Sequence, residues 1–235
     1  MNTIPRFIAA AVFLALLPVT SFAQSPPKLE PPSEPLVVQP PDYSKVVITY
    51  SYPDERAAKA NGKTLPPDGR PRMITMTRTK DIIWQEIVDG VGAKIECWRV
   101  GGSDYSKGVD AVSWGQAEKP STTAGQILQL DWINRSNYVG TIKYANRDCL
   151  VFAQGAPPNF DLPQAIAEDK LDSFRYLAFI DKETRLPVED HHFGDFRFFR
   201  FDEPPTAPLR LPPDLAQQIK AGQEMMDRLS HRSQD

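Results

Sequence analysis

Hydrophobic and polar residues alternate along much of this chain, beginning near residue 45. In the first such run, Val46, Ile48 and Tyr50 alternate with Val47 and Thr49. A period of two residues predicts a β-strand, because successive side chains of a strand point to opposite faces of the sheet. Similar runs, rich in β-branched and aromatic residues, lie at 72–79, 82–88, 93–100, 138–144, 148–153, 174–181, 186–189 and 196–201.

Short turn sequences join several of these runs, which favours antiparallel pairing of neighbouring strands. Asp89-Gly90 and Ala145-Asn146 are of the kind that tolerates positive φ in a hairpin turn. The polar or glycine-rich segments 53–71 and 101–122 predict loops. Helical patterns are expected at 124–133, after the capping residue Asp161, and from Pro213 onward. The expected fold is therefore α+β: an antiparallel sheet with short helices and a C-terminal helix, in one domain over 45–230.

Several predicted strands are apolar on both faces, and the sheet therefore needs cover on two sides. In 196–201 the hydrophobic phase changes midway, which indicates either a bulge or a strand buried on both faces. Helices can supply the cover, or one face can line a cavity that admits an apolar ligand. An ordinary packed core is the alternative. The residues expected to line such a cavity are Trp84, Trp98, Phe152 and Phe179.

The N-terminal segment has the pattern of a cleavable secretory signal. Residues 1–23 place a positive charge at Arg6, then an apolar run, then Ser21-Phe22-Ala23, which predicts cleavage before Gln24. The alternative is a buried or membrane-anchoring helix, although the apolar run is short for a membrane span. An exported protein, periplasmic or extracellular and not membrane-spanning, is expected. Residues 24–44 are proline-rich and predict a disordered linker, or alternatively a tether for a partner.

Charge and cysteine content narrow the picture further. The net charge is −3 without a cluster of basic residues, so a nucleic-acid partner is not expected. In an exported protein the two cysteines, Cys97 and Cys149, are expected to form a disulfide, because disulfides persist in oxidising compartments. Two buried free thiols are the alternative. A Cys-x-x-Cys redox pair does not occur.

Candidate catalytic chemistry is confined to the segment around His191 and His192. Together with Glu189, Asp190 and Asp195 these histidines form a candidate metal or acid–base cluster. Neighbouring strand residues point to opposite faces, which opposes a shared metal ion, and a solvated hairpin turn is the simpler interpretation. The chain contains no nucleophile elbow, zinc-binding helix motif or phosphate loop. No catalytic residue, metal or cofactor is therefore expected.

Three segments resemble exported proteins of the LolA/LolB-like superfamily. They are the strands around Trp84 and 97–98, the hairpin that contains 147–149, and above all 178–188, where Ile-Asp leads through an acidic turn into Leu-Pro-Val. The resemblance implies a strongly curved, half-closed β-barrel with helices on its concave side. It also implies a non-enzymatic carrier of a lipid or of an acylated lipoprotein. An envelope protein-interaction module with a filled core is the alternative, followed by a hydrolase that uses His191 or His192.

Overall fold

The computed structural model describes residues 30–117, 129–156, 160–168, 170 and 174–232. The predicted signal at 1–23 lies outside the described residues, as do the first part of the predicted linker and residues 124–128 of the predicted helix at 124–133. Residues 129–133, which are described, do not continue as a helix. The predicted helix at 124–133 is therefore wrong over its described half.

Eleven strands form one antiparallel sheet in the described part of the chain. They are β1 (Ser44–Ser51), β2 (Pro71–Thr79), β3 (Ile82–Asp89), β4 (Lys94–Val100), β5 (Ser103–Gly108), β6 (Gly115–Gln116), β7 (Tyr138–Tyr144), β8 (Arg147–Gln154), β9 (Tyr176–Asp181), β10 (Pro187–His192) and β11 (Asp195–Asp202). Their order is β6-β5-β4-β3-β2-β1-β11-β10-β9-β8-β7. The sheet is open, with β6 and β7 as its edges, and the pairing of β1 with β11 joins two meanders.

Three α-helices accompany the sheet among the described residues: α1 (Pro53–Ala60), α2 (Leu162–Ala167) and α3 (Pro213–Arg232). The predicted start of α2 is confirmed, since the Asp161 carboxylate accepts a hydrogen bond of 3.0 Å from the Gln164 backbone N–H. The C-terminal helix is also confirmed. The α+β class predicted from the pattern is therefore correct. No helix in the described residues combines the length and the apolar character needed to cross a membrane.

Two predicted loops contain regular structure. Helix α1 occupies the start of 53–71, where Pro53 begins the helix with its φ already fixed. Strands β5 and β6 occupy part of 101–122. The turn from β4 to β5 is made by Gly101 and Gly102, whose φ values of 57° and 82° suit a residue without a Cβ. The turn predicted at Ala145-Asn146 is confirmed, with φ values of 48° and 63°.

Several strands contribute to two packed faces, as the alternation predicts. The front face carries Ile48 of β1, which the register aligns with Ile74 of β2 and Phe199 of β11. The back face carries Phe196 of β11, among others, and both α2 and α3 pack on it. The register of β1 with β11 is continuous through 196–201. The phase change in that run therefore reflects burial on both faces and not a bulge.

Part of the predicted linker belongs to the front-face core. Leu36 is 5 % exposed and packs with Leu130 and Ile133, which come from the segment before β7. The Val38 N–H donates a hydrogen bond of 3.0 Å to the Arg185 carbonyl. The prediction of a disordered linker over 24–44 is therefore wrong for the residues around Leu36, whose apolar side chains bury surface that a proline-rich composition does not reveal.

Candidate functional site

A cavity of about 470 Å³ lies on the front face of the first meander, which consists of β1 to β6. Its apolar wall consists of aliphatic side chains from three adjacent strands: Ile48, Ile74, Met76 and Ile83. Antiparallel register brings Ile48 opposite Ile74, and Val46 beside them opposite Met76. The volume falls within the range of about 300–1,000 Å³ that is usual for small-molecule sites. The cavity can therefore hold a ligand with an aliphatic part.

Arg197, one member of a buried ion pair, borders the cavity. Arg197 of β11 and Asp190 of β10 are register partners, and the Arg197 Nε lies 2.6 Å from Asp190 Oδ1, while its Nη2 contacts Oδ2. Asp190 is 0 % exposed and Arg197 is 7 % exposed. Burial acts to lower the pKa of Arg197, but the hydrogen bonds and charge of Asp190 outweigh it and raise the pKa. Burial also raises the pKa of Asp190, and the hydrogen bonds and charge of Arg197 oppose that rise. Arg197 thus remains charged, and its two contacts with the Asp190 carboxylate balance that charge within the protein.

Uncharged polar groups surround this ion pair. Arg197 Nη1 donates to the Gln129 side-chain oxygen over 3.4 Å. Tyr50 borders the cavity next to Arg197, and burial raises the pKa of its hydroxyl. The hydroxyl therefore remains protonated at neutral pH and is available as a donor or acceptor.

A second arginine borders the cavity at β4. Arg99 faces its register partner Asp104 of β5, with Nε–Oδ1 and Nη2–Oδ2 distances of 2.6 and 2.9 Å. Both side chains are half-buried, at 23 % and 24 % exposure. This bidentate arrangement holds Arg99 in place against a carboxylate. Each arginine at the cavity is thus matched by an aspartate.

The predicted disulfide is wrong, because Cys97 and Cys149 are both free thiols. Cys97 lies on β4 and borders the front-face cavity, whereas Cys149 lies on β8 in the back-face core. Six strands separate β4 from β8 in the sheet order. A disulfide needs Cα atoms within about 7 Å, a little more than the spacing of adjacent strands. Burial raises the pKa of the Cys97 thiol, and it raises that of Cys149 to about 11.

The two thiols are expected to differ sharply in reactivity. A maleimide applied to the native protein at about pH 8 should label half-buried Cys97 slowly and leave Cys149 unlabelled, because reagent access and thiolate formation are both suppressed for a fully buried thiol. Mass spectrometry of tryptic peptides measures this, and Cys97→Ser and Cys149→Ser variants serve as matched controls. Equal labelling of both thiols without denaturant would contradict this placement.

The four aromatic residues predicted to line one cavity do not come together. Trp84 and Trp98 are register partners on the back face, and both indole N–H groups donate to the same Glu96 oxygen, over 3.1 and 2.7 Å. Trp98 packs against Leu215 of α3 and also borders the cavity wall. The pair therefore serves mainly to dock the C-terminal helix.

The two phenylalanines of this set belong to separate cores. Phe152 is 0 % exposed in the front-face core beside Leu130. Phe179 is 0 % exposed in the back-face core, where its ring stacks on Tyr144 with centroids 4.2 Å apart. The prediction that both line the cavity is wrong, since alternation places them on opposite faces of adjacent strands.

The histidine segment is strand and not a solvated turn. His191 and His192 both belong to β10, and the turn consists of Phe193 and Gly194. His191 is 1 % exposed, and its Nε2 lies 2.7 Å from a Glu189 carboxylate oxygen. The other oxygen of that carboxylate accepts a hydrogen bond from Tyr144.

This Tyr144–Glu189–His191 network lies inside the back-face core. Burial, followed by the hydrogen bond to Glu189, raises the pKa of Tyr144. Tyr144 is half-buried, whereas Glu189 and His191 are 2 % and 1 % exposed, so the carboxylate and the imidazole lack the solvent access that a substrate would need. Among the described residues, no group of three or more His, Cys, Asp or Glu side chains is placed to hold a metal ion.

Sequence reasoning missed the polar residues of the cavity, although one signal was available. Arg197 lies between phenylalanines, at the same strand phase as Phe199 and Phe201. A charged residue in phase with buried aromatic residues indicates a buried charge, which requires a partner. Asp190 is that partner, and a two-residue turn separates their strands. No comparable signal identifies Gln129.

Neither of two comparisons with known proteins identifies a relative of this chain. No protein-family model matches this chain. No curated protein sequence matches it either. The arrangement that the structure offers is an aliphatic wall with two neutralised arginines and several uncharged polar side chains around it.

Proposed function

We propose that this protein binds an aliphatic chain, carried by a lipid or an acylated lipoprotein, in the front-face cavity without covalent chemistry. The observation that carries the proposal is the 470 Å³ cavity with its wall of Ile48, Ile74, Met76 and Ile83. Water would be excluded from an acyl chain in contact with this wall. Such burial contributes about 0.8 kcal/mol per methylene group.

A half-closed barrel like that of LolA/LolB-like proteins is part of this proposal. Ile74 of β2 and Phe152 of β8 belong to one hydrophobic core, although four strands lie between β2 and β8 in the sheet. In a flat sheet these strands would be roughly 24 Å apart. Curvature of the sheet around the front face would bring them together, and Leu36 and Leu130 would fill part of the concave side.

The proposal includes export to the periplasm or the cell exterior, for which the sequence of residues 1–23 is the support. One observation favours the alternative, an envelope protein-interaction module. The distal part of α3 exposes Met225, Met226 and Leu229, at 58 %, 63 % and 52 %. A hydrolase that uses His191 or His192 has the least support. His191 is enclosed in the back-face core, and half-buried His192 packs against the rings of Tyr176 and Phe193.

A charge placed in the cavity wall is expected to weaken acyl binding while the fold is retained. Met76→Glu introduces a carboxylate at a wall position of β2 whose register partners, Val46 and Gln85, carry no charge. The carboxylate therefore meets the acyl chain without a compensating charge opposite it. We expect the affinity for a fluorescent acyl methyl ester to fall by at least about tenfold, equivalent to about 1.4 kcal/mol. Fluorescence titration of delipidated protein measures the affinity, and a thermal unfolding curve establishes that the variant folds.

Met73→Glu is the matched control for this experiment. Met73 lies on β2 next to Ile74 but points to the back face and is 36 % exposed. The Met73→Glu substitution adds the same charge outside the cavity. The affinity for the acyl ester is therefore expected to stay within about twofold of that of the unmodified protein. If the unmodified, delipidated protein shows no saturable binding, the carrier proposal fails and the interaction module remains.

A further inference from the structure

We infer that the cavity selects uncharged acyl compounds, such as esters and amides, over ionised fatty acids. This inference rests on the proposed acyl binding and adds the chemistry of the polar group beside the chain. It follows from the charges at the cavity. Each arginine that borders its described part is bound to an aspartate: Arg197 to Asp190, and Arg99 to Asp104.

The two ion pairs leave no net positive charge for a ligand carboxylate. Arg197 is held in the buried pair through two of its nitrogens, with Gln129 accepting from a third. Arg99 uses Nε and Nη2 on the two oxygens of Asp104. Asp104 borders the cavity beside Arg99, so an incoming carboxylate would meet a like charge there, which disfavours binding. At Arg197 it would meet a charge that Asp190 already compensates.

Desolvation acts in the same direction. A carboxylate that enters a cavity loses hydration, and without a counter-ion this loss is far larger than for an ester or an amide. An ester or an amide can replace the hydrogen bonds that it loses with hydrogen bonds to the uncharged groups of the cavity. Tyr50, Gln85 and Gln116 border it and carry hydroxyl or amide hydrogens of the kind that donate to a carbonyl oxygen. The aliphatic wall would thus recognise the acyl chain of the ligand, and uncharged hydrogen-bond donors would recognise its ester or amide group.

Competition between two ligands with the same chain tests the inference. Palmitate, which is ionised at about pH 8, and methyl palmitate differ in the charge of the head group and little else. Each displaces a fluorescent acyl methyl ester from the delipidated protein. We expect methyl palmitate to compete at a concentration lower by at least about tenfold. Equal potency, or stronger competition by palmitate, would overturn the inference but leave acyl binding intact.

An Asp104→Asn variant makes the test specific to the ion pair. It keeps the shape of the side chain but leaves the Arg99 charge uncompensated at the cavity. The affinity for palmitate is then expected to rise about tenfold relative to the affinity for methyl palmitate. Asp227→Asn on the exposed part of α3 removes the same charge away from the cavity and should change neither ligand.

The double variant Arg99→Gln/Asp104→Asn removes both charges of the pair and should restore the preference of the unmodified protein. A selectivity in Asp104→Asn that equals that of the unmodified protein would overturn the role of the ion pair. Failure of every ligand to bind the unmodified protein would instead overturn the proposed function. The two failures are therefore distinguishable.

Discussion

Replacement of Phe152 by alanine is expected to lower the free energy of unfolding by about 3–5 kcal/mol. The Phe152 ring is 0 % exposed, and it lies 5.7 Å from the ring of Tyr138, centroid to centroid. Truncation removes apolar contacts and leaves a void in a core that strands on both sides hold in place. Urea unfolding followed by tryptophan fluorescence measures the change.

Phe198→Ala is the matched control for the Phe152 substitution. Phe198 is also a strand phenylalanine, but it is 40 % exposed on the back face, so its loss should cost less than about 1 kcal/mol. If Phe152→Ala retained full stability and instead altered acyl binding, Phe152 would line the cavity and its assignment to the core would be wrong.

Replacement of Asp190 by asparagine is expected to destabilise the protein by about 3–5 kcal/mol, because it leaves the Arg197 charge buried without a counter-ion. The side chain keeps its size, so the loss reflects charge and hydrogen bonding and not a void. Urea unfolding of the variant and of the unmodified protein gives the difference. The circular dichroism spectrum of the variant without urea, compared with that of the unmodified protein, would separate global unfolding from a local rearrangement.

Two further variants serve as comparisons for the stability change in Asp190→Asn. Asp104→Asn breaks the half-buried pair with Arg99, which solvent still reaches, and should cost about 0–1 kcal/mol. The double variant Asp190→Asn/Arg197→Met removes both buried charges and should recover part of the stability lost by Asp190→Asn alone. A small, equal effect of Asp190→Asn and Asp104→Asn would show that Arg197 reaches water after all.

The strands and the α+β class could be predicted because burial imposes a period of two on the sequence. β8 illustrates this, since Leu150 and Phe152 fill the front face while Cys149 and Val151 fill the back. β5 was missed because its residues are mostly polar and its pairing with β4 defines it as a strand. α1 was missed because tertiary contacts hold it: the guanidinium of Arg56 lies 3.5 Å from the centroid of the Phe196 ring.

The site could not be predicted to the same degree, because its residues meet through strand order. Alternation indicates that Cys97 and Trp98 point to opposite faces, but not which face borders a cavity. The distance between Cys97 and Cys149 depends on where the two meanders join, and the sequence contains no signal for the pairing of β1 with β11. The pairing of Arg197 with Asp190 could have been predicted, since one tight turn links their strands.

The junction of the two meanders has a consequence for the order of folding. Among the described strands, β1 and β11 are the neighbours that are not consecutive in the chain, and they pair Lys45 with Asp202. Each meander can form from local hairpins, whereas this junction must close a loop that spans most of the domain. A circular permutant opened between β6 and β7, with its natural ends joined by a linker, would have every strand beside its chain neighbour. Its relative contact order would fall, and it should refold faster than the natural chain.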